Sequence, residues 1–284
     1  MMPASVGTTT PDGSLPRFIY GTAWKEELTS ALTRQALGAG FRAIDTANQR
    51  RHYVESAVGA AVVSFLSETG IERDRLFLQT KFTYARGQDH RLPYDPNADF
   101  ATQVAQSFAS SLEHLRTTYV DSLLLHGPAT GRGLTDADRD VWRAMESLAS
   151  AGKARFIGVS NVTLEQLELF VQAAEIAPAF VQNRCYASTG WDRDVRAFCR
   201  EHGIAYQAFS LLTANARELR AAAVERAAKR TGRTAAEVVF GFARAVGMIP
   251  LTGTSDPAHM KGDLACEDFA LTPDEIAAIE HVVR

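Results

Sequence analysis

The chain has 284 residues, a formal net charge of -3 and 46% hydrophobic residues. That apolar content supports a large core. No stretch reaches the ~18 consecutive apolar residues of a membrane span, and mixed charge leaves no nucleic-acid or lipid footprint. Cys185, Cys199 and Cys266 show neither metal-ligand spacing nor an even-numbered framework, which predicts structural thiols in a reducing compartment and no bound metal.

The first residues, "MMPASVGTTTPDGS", lack the charged-then-apolar order of a secretion signal, so a cytoplasmic protein is expected. Their Asp-Gly turn suits a small hairpin, and residues 1–16 are expected to form an N-terminal hairpin or a flexible segment. Short apolar runs then recur: "RFIYGT" (17–22), "FRAIDTA" (41–47), "LFLQTKF" (76–82), "VDSLLLHGP" (120–128), "ARFIGVSN" (154–161), "AFVQNRC" (179–185), "IAYQAFSLL" (204–212) and "GMIPLTG" (247–253). Each is too short for an ordinary helix, and most carry Ile, Val or Phe, so eight strands are predicted.

Helical patterns lie between them. The segment 26–40 repeats Leu28, Ala31, Leu32, Ala36 and Leu37, a one-sided apolar stripe, and 98–115 does the same with Val104, Phe108, Leu112 and Leu115. The segment 135–153 opens on a Thr135 cap, and 163–175 carries the capping-box pattern Thr163…Gln166. Further helices are expected at 192–203, 218–232, 234–247 and near the end in "TPDEIAAIEHVV". Eightfold strand–helix alternation implies parallel strands joined by crossovers. With no long linker or composition shift, a closed (β/α)8 TIM barrel over 1–284 as one domain fits better than an open sheet. Two connections are long, 83–97 and 128–134. Both follow strands, where the active face of such a barrel lies. Within the second, "GRGLTD" begins like a dinucleotide fingerprint but lacks its third glycine and does not open a helix directly after a strand.

Three strand ends carry titratable side chains: Asp45, Lys81 and His126. Any one alone reads as a structural ion pair or a satisfied core histidine. Three at successive strand ends point to the mouth of a barrel and to chemistry there.

The segments "DTA", Tyr-x-Glu, "VG" (58–59), "TK", "LLLHGP" and "GVSN", with "GTAW", "VQN", "AFS" and "IPLTG" at the other strand ends, resemble the aldo-keto reductase superfamily. The similarity runs from about residue 16 to 281; each motif is short, but their order over eight strands is specific. The resemblance implies NAD(P)H-dependent reduction of an aldehyde or ketone by a barrel that binds nicotinamide without a Rossmann fold. It implies catalysis by Asp45, Tyr53, Lys81 and His126, with Tyr53 the proton donor. A free phenol is a poor acid near neutrality, and an adjacent ammonium would lower its pKa. Asp45 would hold Lys81 charged, and His126 would hydrogen-bond the substrate oxygen.

The same resemblance assigns Ser160, Asn161 and Gln182 to the nicotinamide carboxamide and Phe209 to the face of its ring. Gly21, Thr22, Ala23 and Asp45 would line the cofactor from the first two strands. Ser210, Leu212 and Asn215 would pass the pyrophosphate. Leu251, Thr252, Gly253 and Thr254, with Ser255 and His259, would meet the adenosine phosphate. The cationic clamp many members place there is missing, so NADPH is expected with NADH possible. Trp24, Tyr84, His126 and Trp191, with Tyr94 a further candidate, would wall the pocket for a small-molecule carbonyl substrate. Many members continue into a C-terminal loop that covers this pocket; the chain ends at Arg284, so an open site is expected. A monomer or weak homodimer is expected, with no nucleic-acid or membrane partner.

The stretch "DTANQRRHYVES" departs from the family. The family tyrosine lies five residues after the aspartate, where this chain has Arg50; Tyr53 lies eight after Asp45. Either a two-residue lengthening keeps Tyr53 in the site, or the acid is lost or replaced by His52 or another residue. Arg50, Arg51 and His52 read equally as solvated charges or as a positive rim for anions. A cofactor-binding sensor without turnover remains an alternative. A lyase using Lys81 as a Schiff base is a weaker one, since it has no need of a carboxamide clamp.

Overall fold

Eight parallel strands close in chain order into a barrel, each joined to the next by helical segments, in a computed structural model that describes residues 15–282. The elements run β1 (Ile19–Gly21), α1 (Thr29–Ala39), β2 (Ala43–Asp45), α2 (Glu55–Thr69), β3 (Phe77–Phe82), α3 (Phe100–Leu115), β4 (Val120–Leu125), α4 (Asp136–Ser150) and β5 (Ala154–Ser160). They continue with α5 (Leu164–Ala173), β6 (Phe180–Arg184), α6 (Arg193–Glu201), β7 (Ala205–Phe209), α7 (Ala222–Thr231), α8 (Ala235–Ala245), β8 (Met248–Thr252), α9 (Pro257–Leu264) and α10 (Pro273–Glu280). The eight expected strands are all present. The N-terminal hairpin expected over 1–16 lies almost entirely outside the described residues.

Local chemistry sets the helix ends. Thr135 with Asp138 and Thr163 with Gln166 form capping boxes, each satisfying orphan donors reciprocally. Helix α9 was not foreseen; its Asp256 cap and Pro257 start fall where a loop toward the adenosine phosphate was expected. Helices α2 and α3 cross closely because Gly59 has no side chain: a Cβ there would stand 2.0 Å from the His114 carbonyl oxygen and 2.7 Å from Leu115 Cα.

Strand periodicity layers the barrel interior. At the bottom Ile19, Ala43, Phe77, Leu124, Phe156, Phe180 and Ile249 form an apolar plug. Two residues further along the strands the inward side chains turn polar: Asp45, Gln79, Gln182 and Gln207. Two further again come Lys81, Arg184 and Phe209. The intervening residues Tyr20, Ile44, Leu78, Val181 and Tyr206 belong to the larger core formed with the helices. No described helix is long and apolar enough to cross a membrane.

Candidate active site

Asp45 and Lys81 meet at the mouth end of the barrel. Lys81 Nζ donates to both Asp45 carboxylate oxygens at 2.7 Å and to the Thr46 carbonyl at 2.9 Å. Lys81 is 1% exposed and Asp45 3%, so the pair is removed from water. Such burial needs every polar valence filled. Gln79 Nε2 donates to Asp45 Oδ1 at 2.7 Å and Gln182 Nε2 does so at 3.1 Å. Both amides also donate to Gln207 Oε1, and Gln207 Nε2 donates back to Gln79 Oε1 at 3.0 Å. Asp45 therefore stands on a closed set of three glutamines.

The lengthened stretch after Asp45 folds inward. Ala47, Asn48 and Gln49 are buried. Asn48 Nδ2 donates to the Ser107 carbonyl and Gln49 Nε2 to the Gly87 carbonyl, while Gln88 Nε2 donates to the Asn48 carbonyl. His52 and Tyr53 then turn back through amide bonds to the Gln49 carbonyl. The extra residues are taken up in this turn, and Tyr53 returns over the ion pair. Lys81 Nζ lies 5.2 Å from the Tyr53 ring centroid, and the Tyr53 and His126 rings are 6.0 Å apart in an edge-on arrangement. The turn is pinned on its outer side, where the Trp24 amide donates to the His52 carbonyl and the two rings stand 3.8 Å apart.

Electrostatics follow from burial. Burial pushes the Tyr53 phenol well above its ordinary range, and the Asp45 charge pushes the same way. This differs from the expectation that Lys81 would lower it. Lys81 is bonded to both Asp45 oxygens, so the phenol faces an ion pair rather than a bare ammonium. Burial lowers the Lys81 pKa, opposed by Asp45 and by Glu55. Burial, then the charges of Lys81 and His52, bring His126 down to about 3. Its Nδ1 lies 2.7 Å from the Thr83 hydroxyl. Burial and Arg51 lower His52 as well.

These groups open on a cavity of about 580 Å³. Gly21, Ala23 and Trp24 line it from the end of β1. Ser160, Asn161 and Gln182 line it from β5 and β6, and Phe209, Ser210 and Leu212 from β7. Leu251, Thr252, Gly253 and Thr254 line it from β8. Asn161 Nδ2 is committed to the His126 carbonyl and Ser160 Oγ, and Gln182 Nε2 to Asp45 and Gln207. That leaves the two side-chain oxygens to accept. Three rim residues without a glycine's freedom hold left-handed backbone: Trp24 at φ 61°, Asn161 at φ 55° and Ser210 at φ 58°. Such strain concentrates where side chains must be aimed.

Several expected site residues lie elsewhere. Trp191 is buried against Phe242, with its indole N–H on the Ile279 carbonyl. The Tyr84 hydroxyl donates to Asp138, and the Tyr94 hydroxyl to the Thr83 carbonyl. These three aromatics anchor loops and do not line the cavity. Asn215 clasps the backbone of Ala187, Cys185 and Leu211. Thr22 donates its hydroxyl to the Asp45 carbonyl, and His259 is exposed on α9. None of the three lines the cavity. Gln79, Gln207 and Arg184 went unremarked in the sequence, although each lies two residues from a strand position already assigned to the site. The two-residue period was the available signal.

Known proteins share the family and the fold. The family model described as "Aldo/keto reductase family" matches residues 7–284. An aldo-keto reductase of Mycolicibacterium vanbaalenii is 32% identical over 274 residues, covering 95% of this chain and 88% of its own. A D-galacturonate reductase of Fragaria ananassa is 30% identical, covering 90% and 82%. Among solved structures, an aldo/keto reductase from Brucella melitensis superposes with a TM-score of 0.78 at 27% identity, covering 95% of this chain and 96% of that one.

Proposed function

The chain belongs to the aldo/keto reductase family of oxidoreductases, and from that premise we propose that it reduces a small aldehyde or ketone to an alcohol with NADPH, using Tyr53 as proton donor. The observation that carries this reading is the placement of Tyr53 and His126 around the buried Asp45–Lys81 pair at one end of the cavity.

The residues fit a nicotinamide carboxamide. Its –NH2 requires acceptors, and Asn161 and Gln182 have their nitrogens engaged by the protein and their oxygens left to accept. Phe209 offers an aromatic face beside them. Thr252, Gly253 and Thr254 give hydroxyl and backbone groups for a phosphate. Among the described residues no guanidinium lines that end, and the Lys25 ammonium there is engaged by the Gly253 carbonyl, which favours a second reading in which NADH also serves.

When bound, the reduced nicotinamide supplies a hydride to the carbonyl carbon. The protein's part is to hold the carbonyl oxygen and to give it a proton. His126 is neutral because its pKa is depressed, and with the Thr83 hydroxyl at its Nδ1 the tautomer we assign places the proton on Nε2, which donates to the oxygen. The Tyr53 phenol stays protonated at neutral pH, so a proton is always in place. An alkoxide is a far stronger base than a phenolate, so transfer becomes downhill as negative charge develops on the substrate oxygen. Lys81, next to the Tyr53 ring, stabilises the phenolate that remains, and Asp45 fixes Lys81 on that side. Relatives named for D-galacturonate, methylglyoxal and glyoxal support small polar carbonyl compounds as substrates.

The test is oxidation of NADPH by a panel of small aldehydes, repeated with Tyr53→Phe. Turnover by the wild-type protein with loss in the variant is expected. Cofactor binding with no turnover across the panel would instead favour a sensor.

A further inference from the structure

Arg184 closes β6 at the rim and lines the cavity. Its neighbour across the sheet is Phe209, and its guanidinium stands over that ring, 5.5 Å from the centroid. No described carboxylate or carbonyl holds its side chain. Arg193 and Arg196, the next arginines along the chain, are by contrast paired with Glu280. The charge balance of the cavity wall sharpens the point. Asp45 is the sole carboxylate among the lining residues, and Lys81 neutralises it. Arg184 is the sole arginine or lysine among them; the other cation near the rim, Lys25, stands on the β1–β8 side with its Nζ on the Gly253 carbonyl.

We infer that Arg184 is an anchor for an oxyanion on the substrate, and that the enzyme favours aldehydes and ketones bearing a carboxylate several bonds from the carbonyl. The inference rests on the carbonyl-reductase reading of the same site. Arg184 lies two residues beyond Gln182 on the same inward face, about 6–7 Å further toward the mouth. A carboxylate adjoining the carbonyl would stay near His126 and fall short of the arginine. One separated by a short chain or a ring reaches it. Phe209 limits the guanidinium's freedom, so less side-chain entropy is lost on binding. Because Arg184 is exposed, the effect on affinity is moderate and salt-dependent.

The same chemistry could come from the cofactor's pyrophosphate, and the experiment separates the two. Steady-state rates with NADPH are measured for 4-carboxybenzaldehyde and for its methyl ester, with wild type, Arg184→Gln and Arg184→Lys. The dissociation constant for NADPH is measured by fluorescence quenching. The wild type is expected to favour the acid over the ester by about tenfold in kcat/KM, mainly through KM. Arg184→Gln is expected to remove that preference while changing the ester and NADPH binding by no more than about twofold. Arg184→Lys is expected to keep part of it. Independently of any variant, the wild-type preference is expected to shrink as sodium chloride is raised. Equal rates on acid and ester in the wild type would overturn the inference but leave the reductase reading standing. So would a weakened grip on NADPH in Arg184→Gln with the acid preference intact, which would assign the arginine to the cofactor. No turnover of these two or of any aldehyde in the panel would overturn both.

Discussion

Replacing Lys81 by Met tests whether Asp45 is held as the partner of a buried cation. The methionine fills similar volume but removes three hydrogen bonds, two to the carboxylate and one to the Thr46 carbonyl. Asp45 keeps the amide donors of Gln79 and Gln182 at 2.7 and 3.1 Å. Breaking a buried pair from one side costs roughly 3–5 kcal/mol, because the remaining charge is stranded. With two amides still facing it, the lower end is expected, about 3 kcal/mol. For a chain of this size that corresponds to a melting temperature lower by roughly 5 °C. The double variant Asp45→Asn with Lys81→Met removes the stranded charge and should regain about 2 kcal/mol, while remaining inactive. Urea unfolding of wild type, single and double variants measures all three stabilities. A single variant as stable as wild type, or a double variant no better than the single, would refute the view that desolvated charge governs this site.

Tyr53→Phe should lower kcat/KM by about a thousandfold, within the usual reach of general acid catalysis, while leaving thermal stability and NADPH binding near wild type in melting and quenching assays. Because His126 is depressed from the ordinary histidine value of about 6.5 to about 3, the unfolded chain takes up a proton in that window and the folded chain does not. Stability should therefore be full above about pH 6.5 and decline as the pH falls toward about 3; urea titrations at several pH values should show a shallower slope for His126→Gln. Gln207→Leu leaves Gln79 Oε1 without its donor and should cost about 1–3 kcal/mol, with reduced kcat/KM as Gln79 and Gln182, the amides that hold Asp45, lose their common acceptor; a variant matching wild type in both respects would remove the glutamine set from the account. Gly59→Ala forces a methyl group into the backbone of α3 and should destabilise by about 3 kcal/mol or more, read from thermal melts.

Much of this was legible in the chain. The strands showed as eight short apolar runs, and Asp45, Lys81 and His126 marked three strand ends because titratable side chains rarely follow such runs without reason. The path of the chain between Asp45 and Tyr53 was not legible. It depends on bonds from Asn48 and Gln49 to Ser107 and Gly87, which are distant in sequence and carry no local pattern. Tyr84 and Trp191 misled for a related reason. An aromatic in a loop can face a cavity or fill the core beneath it, and only the positions of Asp138 and Ile279 decide. Arg184 was hidden by its company, since one more arginine near a turn reads as solvated until the neighbouring acids are seen to be absent.

The glutamine floor beneath Asp45 has a consequence for how the molecule comes together. Its bonds join residues 128 and 137 positions apart, drawing on β2, β3, β6 and β7. Neither half of the chain holds a complete set. A nascent chain that has emerged only through β4 has Asp45, Gln79 and Lys81 but no partner for the glutamine side of the floor. Long-range closure of this kind is slow relative to local helix formation. The geometry of the proposed site is therefore a late product of folding, present only once the ring of strands is complete, and a truncated or nicked barrel should lose activity before it loses its helices.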